Sequence, residues 1–233
     1  MVRKLLILGG PTSAGKTAAA LKLAKAWNPR IVSADAMQVY RGMDIGTGKL
    51  PVEWLERYPH AAIDIRDPHE EFNAVDFAQL ADQEIELAEE EDRPVVVVGG
   101  TGLYFRALLK GFVEAPSGGA SLREELEQLA DPHSELQRVD PALAKRLHPN
   151  DTVRIVRGLE VHRLTGAPLS ELHDSHQPEP RHQAICIALD RPDLDERIDA
   201  RVHEMMRDGY LEEVQRLCEA GYSPQLTKPM RSL

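Results

Sequence analysis

Short apolar runs bounded by turn residues recur along the chain at 5–8, 31–32, 61–65, 95–98 and 184–189, with helical patterns in most of the intervals between them. Such runs read as strands, and their alternation with helices predicts an α/β domain built on a mainly parallel sheet. Sheets of this type bind ligands outside the carboxyl ends of their strands. Three informative segments fall there: residues 10–17 after the first run, Asp35 after the second, and Gly99-Gly100-Thr101 after the fourth.

Between Pro116 and Pro180 the strand signals vanish, and two or three amphipathic helical segments take their place, broken by Pro132, Pro141, Pro149 and Pro168. The expected organisation is a core over residues 1–115 and 184–233 with a helical insertion over 116–183. One helix of the insertion is well marked. Asn150 or Asp151 caps it, Val153, Val156, Leu159 and Leu164 form an apolar stripe, and Gly166 with Pro168 stops it. Arg154 and Arg157 sit three apart on its polar side, a position where arginines are ordinarily solvated or salt-bridged and where they could also grip phosphates. In the last section Ile198, Val202, Met205 and Val214 recur at helical spacing and read as core. Arg197 and Arg201 lie four apart on one face, set either to close over a polyphosphate or to pair with Asp199 and its acidic neighbours.

At 233 residues and 42% hydrophobic, the chain has material for one large domain or for one large and one small. No apolar run nears the roughly 20 residues that span a bilayer, and Met1 leads straight into the first strand, so a cytoplasmic protein is expected. Cys186, in an apolar run, and Cys218, on a helical stretch, offer neither a disulfide framework nor paired metal spacing, and both are expected to be inert core thiols. A formal charge of −10 argues against bulk electrostatic attraction to nucleic acid, so RNA binding would have to use local patches. Much of the acidic excess, Glu84, Glu86, Glu89, Glu90, Glu91 and Asp92, clusters on one helix and reads as a solvated outer face.

The most specific chemistry lies in Gly10-Pro11-Thr12-Ser13-Ala14-Gly15-Lys16-Thr17, which spells a phosphate-binding loop directly after the first strand. Glycines at its two ends let the backbone curl so that successive N–H groups face phosphate oxygens. Lys16 adds a mobile positive charge and Thr17 a hydroxyl suited to Mg²⁺. The helical pattern that follows turns the positive end of a helix dipole toward the same anion. A polyphosphate or pyrophosphate ligand is expected, on a P-loop NTPase-like parallel sheet flanked by helices. Nucleotide hydrolases of this class normally end the next catalytic strand with an acidic Mg²⁺ ligand. Here that strand ends in Gly99-Gly100-Thr101, which weakens a motor or GTPase reading. The acid stands instead at Asp35, as a Mg²⁺ ligand or a general base.

Four blocks then become specific: residues 10–17; Ser33-Ala34-Asp35-Ala36-Met37-Gln38-Val39-Tyr40 with its continuation to Thr47; Gly99-Gly100-Thr101-Gly102-Leu103-Tyr104; and Arg154-Ile155-Val156-Arg157-Gly158-Leu159-Glu160-Val161. In this order they resemble the successive blocks of the tRNA dimethylallyltransferases, and they cover almost the whole chain. The resemblance implies transfer of a five-carbon prenyl group from dimethylallyl diphosphate to N6 of an adenine at tRNA position 37, in tRNAs reading codons that start with U. It implies that Asp35 orients and deprotonates that nitrogen and that Thr101 hydrogen-bonds near the scissile oxygen. Lys16, the amides of Gly10, Pro11, Thr12, Ser13, Ala14 and Gly15 as far as each has one, Thr17 with Mg²⁺, and Arg197 or Arg201 would neutralise the departing diphosphate. Asp35, Ala36, Met37 and Gln38, with Thr101, would read the flipped adenine, while Arg123, Val153, Arg154, Ile155, Val156 and Arg157 would hold the anticodon stem-loop.

The chain departs from that pattern at Thr12-Ser13-Ala14, where the family more often has Thr-Ala-Ser, at Gly48, where Ala is commoner, and at Val153, where glutamine is usual. It also stops inside a block that normally continues into further helices carrying basic residues. His173, Asp174, His176 and His182, around Pro178 and Pro180, read as a polar surface loop rather than a metal site, and Asp64 and Asp67 as turn residues beside Pro68. Three rivals share parts of the pattern: a P-loop small-molecule kinase, an enzyme prenylating free adenine nucleotides, and a non-catalytic RNA-binding module. The Asp35 and Gly99-Gly100-Thr101 blocks rank the tRNA enzyme first. With no long exposed apolar seam evident, a monomer is expected.

Overall fold

A computed structural model describes residues 5–111, 115–175, 180–225 and 227–232. Strand β1 (Leu5–Gly9) leads through the glycine-rich loop into α1 (Lys16–Trp27). Then come β2 (Arg30–Ala34), α2 (Val52–Arg57), the two-residue β3 (His60–Ala61), α3 (Ala74–Glu90), β4 (Val95–Gly99) and α4 (Gly102–Lys110). Helices α5 (Gly119–Glu127), α6 (Pro132–Val139), α7 (Pro141–Ala144), α8 (Thr152–Thr165) and α9 (Leu169–Ser175) follow. Strand β5 (Ile185–Ala188), α10 (Leu194–Arg207), α11 (Tyr210–Glu219) and a 3-10 turn, Lys228–Ser232, complete the order.

The five strands are all parallel and run β3-β2-β4-β1-β5 across the sheet. Strands β1 and β4 are apolar along their whole length, as parallel strands covered by helices are. Ala20 and Ala24 of α1 pack on Leu8, Ile31, Val96 and Val98, and their small side chains let the helix lie close to the strands. Helix α3 is started by Asn73, whose side chain accepts the Val75 N–H at 2.7 Å while Asp76 answers the Asn73 N–H at 2.8 Å, a reciprocal cap.

The chain divides into two compact units, Met1–Gly111 with Pro180–Leu233, and Phe112–Glu179. The second unit has its own core of Leu126, Leu136, Leu143, Ile155, Val156 and Leu159. Its described residues form five helices, where two or three helical segments were expected. Pro132 and Pro141 open helices rather than interrupt them, since the first helical position has no use for an N–H, and Asp131 and Asp140 cap those helices through the Ser134 and Leu143 amides.

Other expectations need correction. The run 61–65 is strand only as far as Ala61, because Ala62 and Asp64 take left-handed backbone angles (φ 63° and 54°). Cys186 and Cys218 are exposed, not core, and Cys186 lies on the edge strand β5. No residue of α10 is buried, and Val202 is 51% exposed, so the expected core stripe there is open. The acidic face of α3 is not wholly solvated: Glu84 and Glu91 both bind Arg30, at 2.7 and 2.8 Å. Asp64 pairs with Lys49 and Asp67 with Arg41. His176 lies outside the described residues. Among the described residues no group of three or more His, Cys, Asp or Glu side chains is placed to hold a metal ion, and no helix is long and apolar enough to cross a membrane.

Candidate active site

The glycine-rich loop leaves β1 through Gly10 at φ 150°, and a Cβ there would sit 2.3 Å from the Leu189 carbonyl oxygen, so only glycine fits. Ser13 also takes a left-handed angle, φ 60°, and its hydroxyl is buried without a partner among the described residues. Such an orphan donor suits a loop built to meet acceptor oxygens. Ala14 is buried beneath the loop, and α1 begins at Lys16 with no side-chain cap, leaving its first N–H groups to a ligand. The Lys16 ammonium reaches the Gly10 carbonyl at 3.0 Å and the Pro11 carbonyl at 2.6 Å. Burial lowers its pKa and the Arg201 charge lowers it further, while the Asp35 carboxylate pushes it back up.

Helix α10 brings two cations to the same loop. Arg197 donates to the Ser13 carbonyl at 3.0 Å, and Arg201, one turn on, donates to the Thr12 hydroxyl at 3.2 Å and to the Thr47 carbonyl at 3.4 Å. Of the two placements open in the sequence, both arginines therefore take the one over the loop.

The acid arrives from β2. The Asp35 carboxylate accepts the Met37 N–H on its Oδ1 at 2.9 Å, a local turn that fixes the side chain, and the residue lines the cleft. Strand β4 meets β2 at this level because Gly99 lacks a Cβ, which would clash with the Ala34 carbonyl at 2.1 Å. Thr101 follows, donating its N–H to the Ala34 carbonyl and accepting the Ala36 N–H on its hydroxyl, both at 3.1 Å. Gln38 is held at both ends, its carbonyl oxygen by the Ser33 hydroxyl at 3.0 Å and its amide by the Thr47 and Gly48 carbonyls at 3.3 Å. One cleft is lined by Thr12, Lys16, Thr17, Asp35, Gln38 and Arg201 together.

Two further residues of this region were not among those expected. His60 of β3 also lines the cleft. Burial lowers its pKa, against the opposing bond to the Tyr58 carbonyl at 2.6 Å. Glu213 of α11 is 1% exposed and accepts three backbone N–H groups from the 44–46 segment.

In the second unit, Val153 is 79% exposed, and Arg154 is exposed and paired with Asp151 at 2.9 Å. Arg123 and Arg157 converge on the buried Glu160. Arg157 also donates to the Pro116 and Ala115 carbonyls at 2.8 and 2.9 Å. Burial raises the Glu160 pKa, but the Arg157 hydrogen bond, the Gly118 N–H and the Arg123 charge outweigh it and hold the group ionised. Ile155 and Val156 correct the expectation for their block: their side chains are core, 1% and 3% exposed, because helical period turns them inward, and they are closed to RNA.

For Mg²⁺, the chain offers the exposed Thr17 hydroxyl beside Lys16 and Asp35. That sparse donor set fits an ion that keeps several waters and takes its remaining ligands from substrate phosphates.

A glycine-rich loop at the carboxyl end of β1, two arginines over it and a carboxylate from the end of β2, on the far side of β4, define a phosphate-loop α/β enzyme. Residues 38–233 match the family model described as IPP transferase. The tRNA dimethylallyltransferase 1 of Pelobacter propionicus is 46% identical over 99% of this chain and 77% of its own length, and the tRNA dimethylallyltransferase of Geobacter sulfurreducens is 45% identical over 96% and 75%. Among solved structures, the tRNA delta(2)-isopentenylpyrophosphate transferase of Staphylococcus epidermidis shares 33% identity with a TM-score of 0.65, covering 97% of this chain and 76% of that one. A eukaryotic dimethylallyltransferase acting on tRNA shares 28% identity with a TM-score of 0.81, over 94% and 56%. The chain belongs to the IPP transferase family.

Proposed function

We propose that this protein transfers a dimethylallyl group from dimethylallyl diphosphate to N6 of the adenine at tRNA position 37, in tRNAs that read codons beginning with U. The observation that carries the reading is the meeting of two kinds of group in one cleft: a diphosphate cradle with Lys16 and Arg201, and the carboxylate of Asp35 at the end of β2. The N6 lone pair attacks C1 of the allyl group, the C1–O bond breaks, and its electrons leave with diphosphate. The N6 proton passes to Asp35, which its turn with Met37 holds in orientation. Lys16, the loop amides, Arg197 and Arg201 stabilise the charge that grows on the departing diphosphate, the dominant need of such a reaction. The Thr17 hydroxyl would hold Mg²⁺ there, and the ion would supply further charge neutralisation.

Asp35, Ala36, Met37 and Gln38, with Thr101, form the side that receives the adenine, and Val153, Arg154, Arg157 and Arg123 the side chains offered to the stem-loop backbone. Arg123 and Arg157 would do so while anchored on Glu160. The residues 112–179 are proposed as the RNA-holding unit and the remainder as the catalytic unit of a cytoplasmic monomer.

The test is incubation with labelled dimethylallyl diphosphate, Mg²⁺ and an anticodon stem-loop with three adenines at 36–38, beside parallel reactions with AMP and with ATP alone. Label in the stem-loop is expected. Label in AMP instead would reassign the acceptor to a free nucleotide, and phosphoryl transfer from ATP without prenyl transfer would reassign the chain to a kinase.

A further inference from the structure

Glu213 is buried on α11, four residues before Leu217, and the hydrogen bonds it accepts come from the 44–46 backbone rather than from the groups that would meet substrate. Its Oε2 accepts the Asp44 and Ile45 N–H groups, each at 2.8 Å, and its Oε1 accepts the Gly46 N–H at 2.9 Å. Three consecutive peptide planes therefore point their donors at one carboxylate. The same loop closes on itself through Gly48 N–H to the Ile45 carbonyl at 2.9 Å and Lys49 N–H to the Asp44 carbonyl at 3.0 Å. With the donors fixed toward α11, the next two carbonyls, Thr47 and Gly48, face the cleft. They are the acceptors that hold the Gln38 amide, and Thr47 also receives Arg201.

Packing alone does not call for a carboxylate here. A buried charge is costly unless fully hydrogen-bonded; here three backbone N–H groups satisfy it, and an apolar side chain of similar volume would leave those donors unpaired. What the carboxylate supplies is direction: it accepts several donors at once and so sets the orientation of a glycine-containing turn. Resting on the prenyl-transfer reading above, we propose that Glu213 is a positioning residue that fixes the 44–48 loop and, through it, sets the Gln38 amide against the acceptor base and Arg201 against the donor diphosphate. One carboxylate outside the cleft thereby registers both substrate-facing groups to each other.

The experiment compares the parent, Glu213→Gln, Glu213→Asp and Leu217→Ala in two readouts. The first is solvent exchange of the Gln38 side-chain amide by nitrogen-15 NMR, with the signal assigned by its loss in Gln38→Ala. The second is kcat/KM for prenyl transfer, measured in the Gln38 and the Gln38→Ala backgrounds. Glu213→Gln places an NH₂ against backbone donors, and is expected to speed the Gln38 amide exchange and to lower kcat/KM by about tenfold in the Gln38 background but by a clearly smaller factor without Gln38, where only the placement of Arg201 remains to be lost, as coupled sites do. Leu217→Ala, which loosens the same helix, should lower Tm while leaving the exchange rate near parental. Glu213→Asp keeps the charge but is too short for all three donors, and carries the same comparison if the glutamine variant fails to fold. Equal loss in both backgrounds, unchanged Gln38 exchange, or an equal exchange effect from Leu217→Ala would overturn the proposal. The exchange arm needs no turnover, so a parent chain without prenyl transfer would defeat the functional reading while the NMR comparison still decides the role of Glu213.

Discussion

The Thr101 hydroxyl accepts the backbone N–H of Ala36 at 3.1 Å, tying the start of α4 to the turn that carries Asp35. Thr101→Val keeps the shape and removes the acceptor, leaving a half-buried N–H unpaired at a cost of about 1–3 kcal/mol. The expected result is a fall in kcat of about 10- to 100-fold through misplacement of Asp35, with pyrophosphate affinity unchanged and recovery in Thr101→Ser. Parental single-turnover rates in the valine variant would show that the bond does not position the acid.

Asp35→Asn preserves the turn acceptor and removes the base. Transfer should fall by about 10²- to 10⁴-fold while pyrophosphate still binds, as calorimetry would show. Loss of pyrophosphate binding with residual transfer would instead make Asp35 a metal ligand.

Arg201→Ala takes one cation from the loop and also releases the Thr12 hydroxyl and the Thr47 carbonyl. Charge-assisted bonds of this kind are worth about 1.5–3 kcal/mol, so KM for the prenyl donor should rise by about tenfold or more. A KM unchanged in steady-state assays would place the diphosphate elsewhere.

Ile155 and Arg154 are neighbours on α8 with opposite expected phenotypes. Ile155→Ala empties part of the second unit's core and should cost about 2–5 kcal/mol in denaturant unfolding. Arg154→Ala should leave stability within about 0.5 kcal/mol and reduce the salt slope of stem-loop binding by about one unit, the signature of a lost phosphate contact. An unaltered slope would remove Arg154 from the RNA-holding set.

Stability should fall on the acid side partly through His60, whose pKa burial lowers in the folded chain. The unfolded chain takes up this proton at its ordinary pKa of about 6.5, and the folded chain resists it. The contribution is therefore present above about pH 6.5 and is lost as pH falls toward the folded pKa. His60→Gln should flatten the Tm profile below about pH 6.5, and an unchanged slope would assign the acid sensitivity to other groups.

The parts of the molecule that announce themselves in sequence are those where a local pattern and a local structure coincide. The run 5–8, the glycine loop and α1 are contiguous, so reading one places the other two. Strand order is a different kind of fact. Cys186 and Ile187 look like core because their run is apolar, and they are exposed because β5 lies at the edge of the sheet, which no run length encodes. The run 61–65 overshot the short β3 for a backbone reason, since Ala62 and Asp64 adopt angles that residues other than glycine seldom take. Glu213 did leave a trace: it stands among Tyr210, Val214 and Leu217, where helical period calls for an apolar side chain. Its meaning needed the 44–46 amides, about 170 residues away in the chain, which only the fold brings to it.

The contact between Leu189 and Gly10 constrains how chains of this architecture can vary. Gly9 accepts the Leu189 N–H at 2.8 Å, and the Leu189 carbonyl fills the space a Cβ on Gly10 would need. The strand that returns from the 112–179 unit thus acts as a gauge for the first turn of the anion cradle. Helices between α4 and β5 are free to lengthen, shorten or be exchanged, provided that Ile185 still arrives opposite Leu6. A slip of one residue would invert every side chain of β5 and carry the gauge off the loop, so the insertion is modular in length but not in phase.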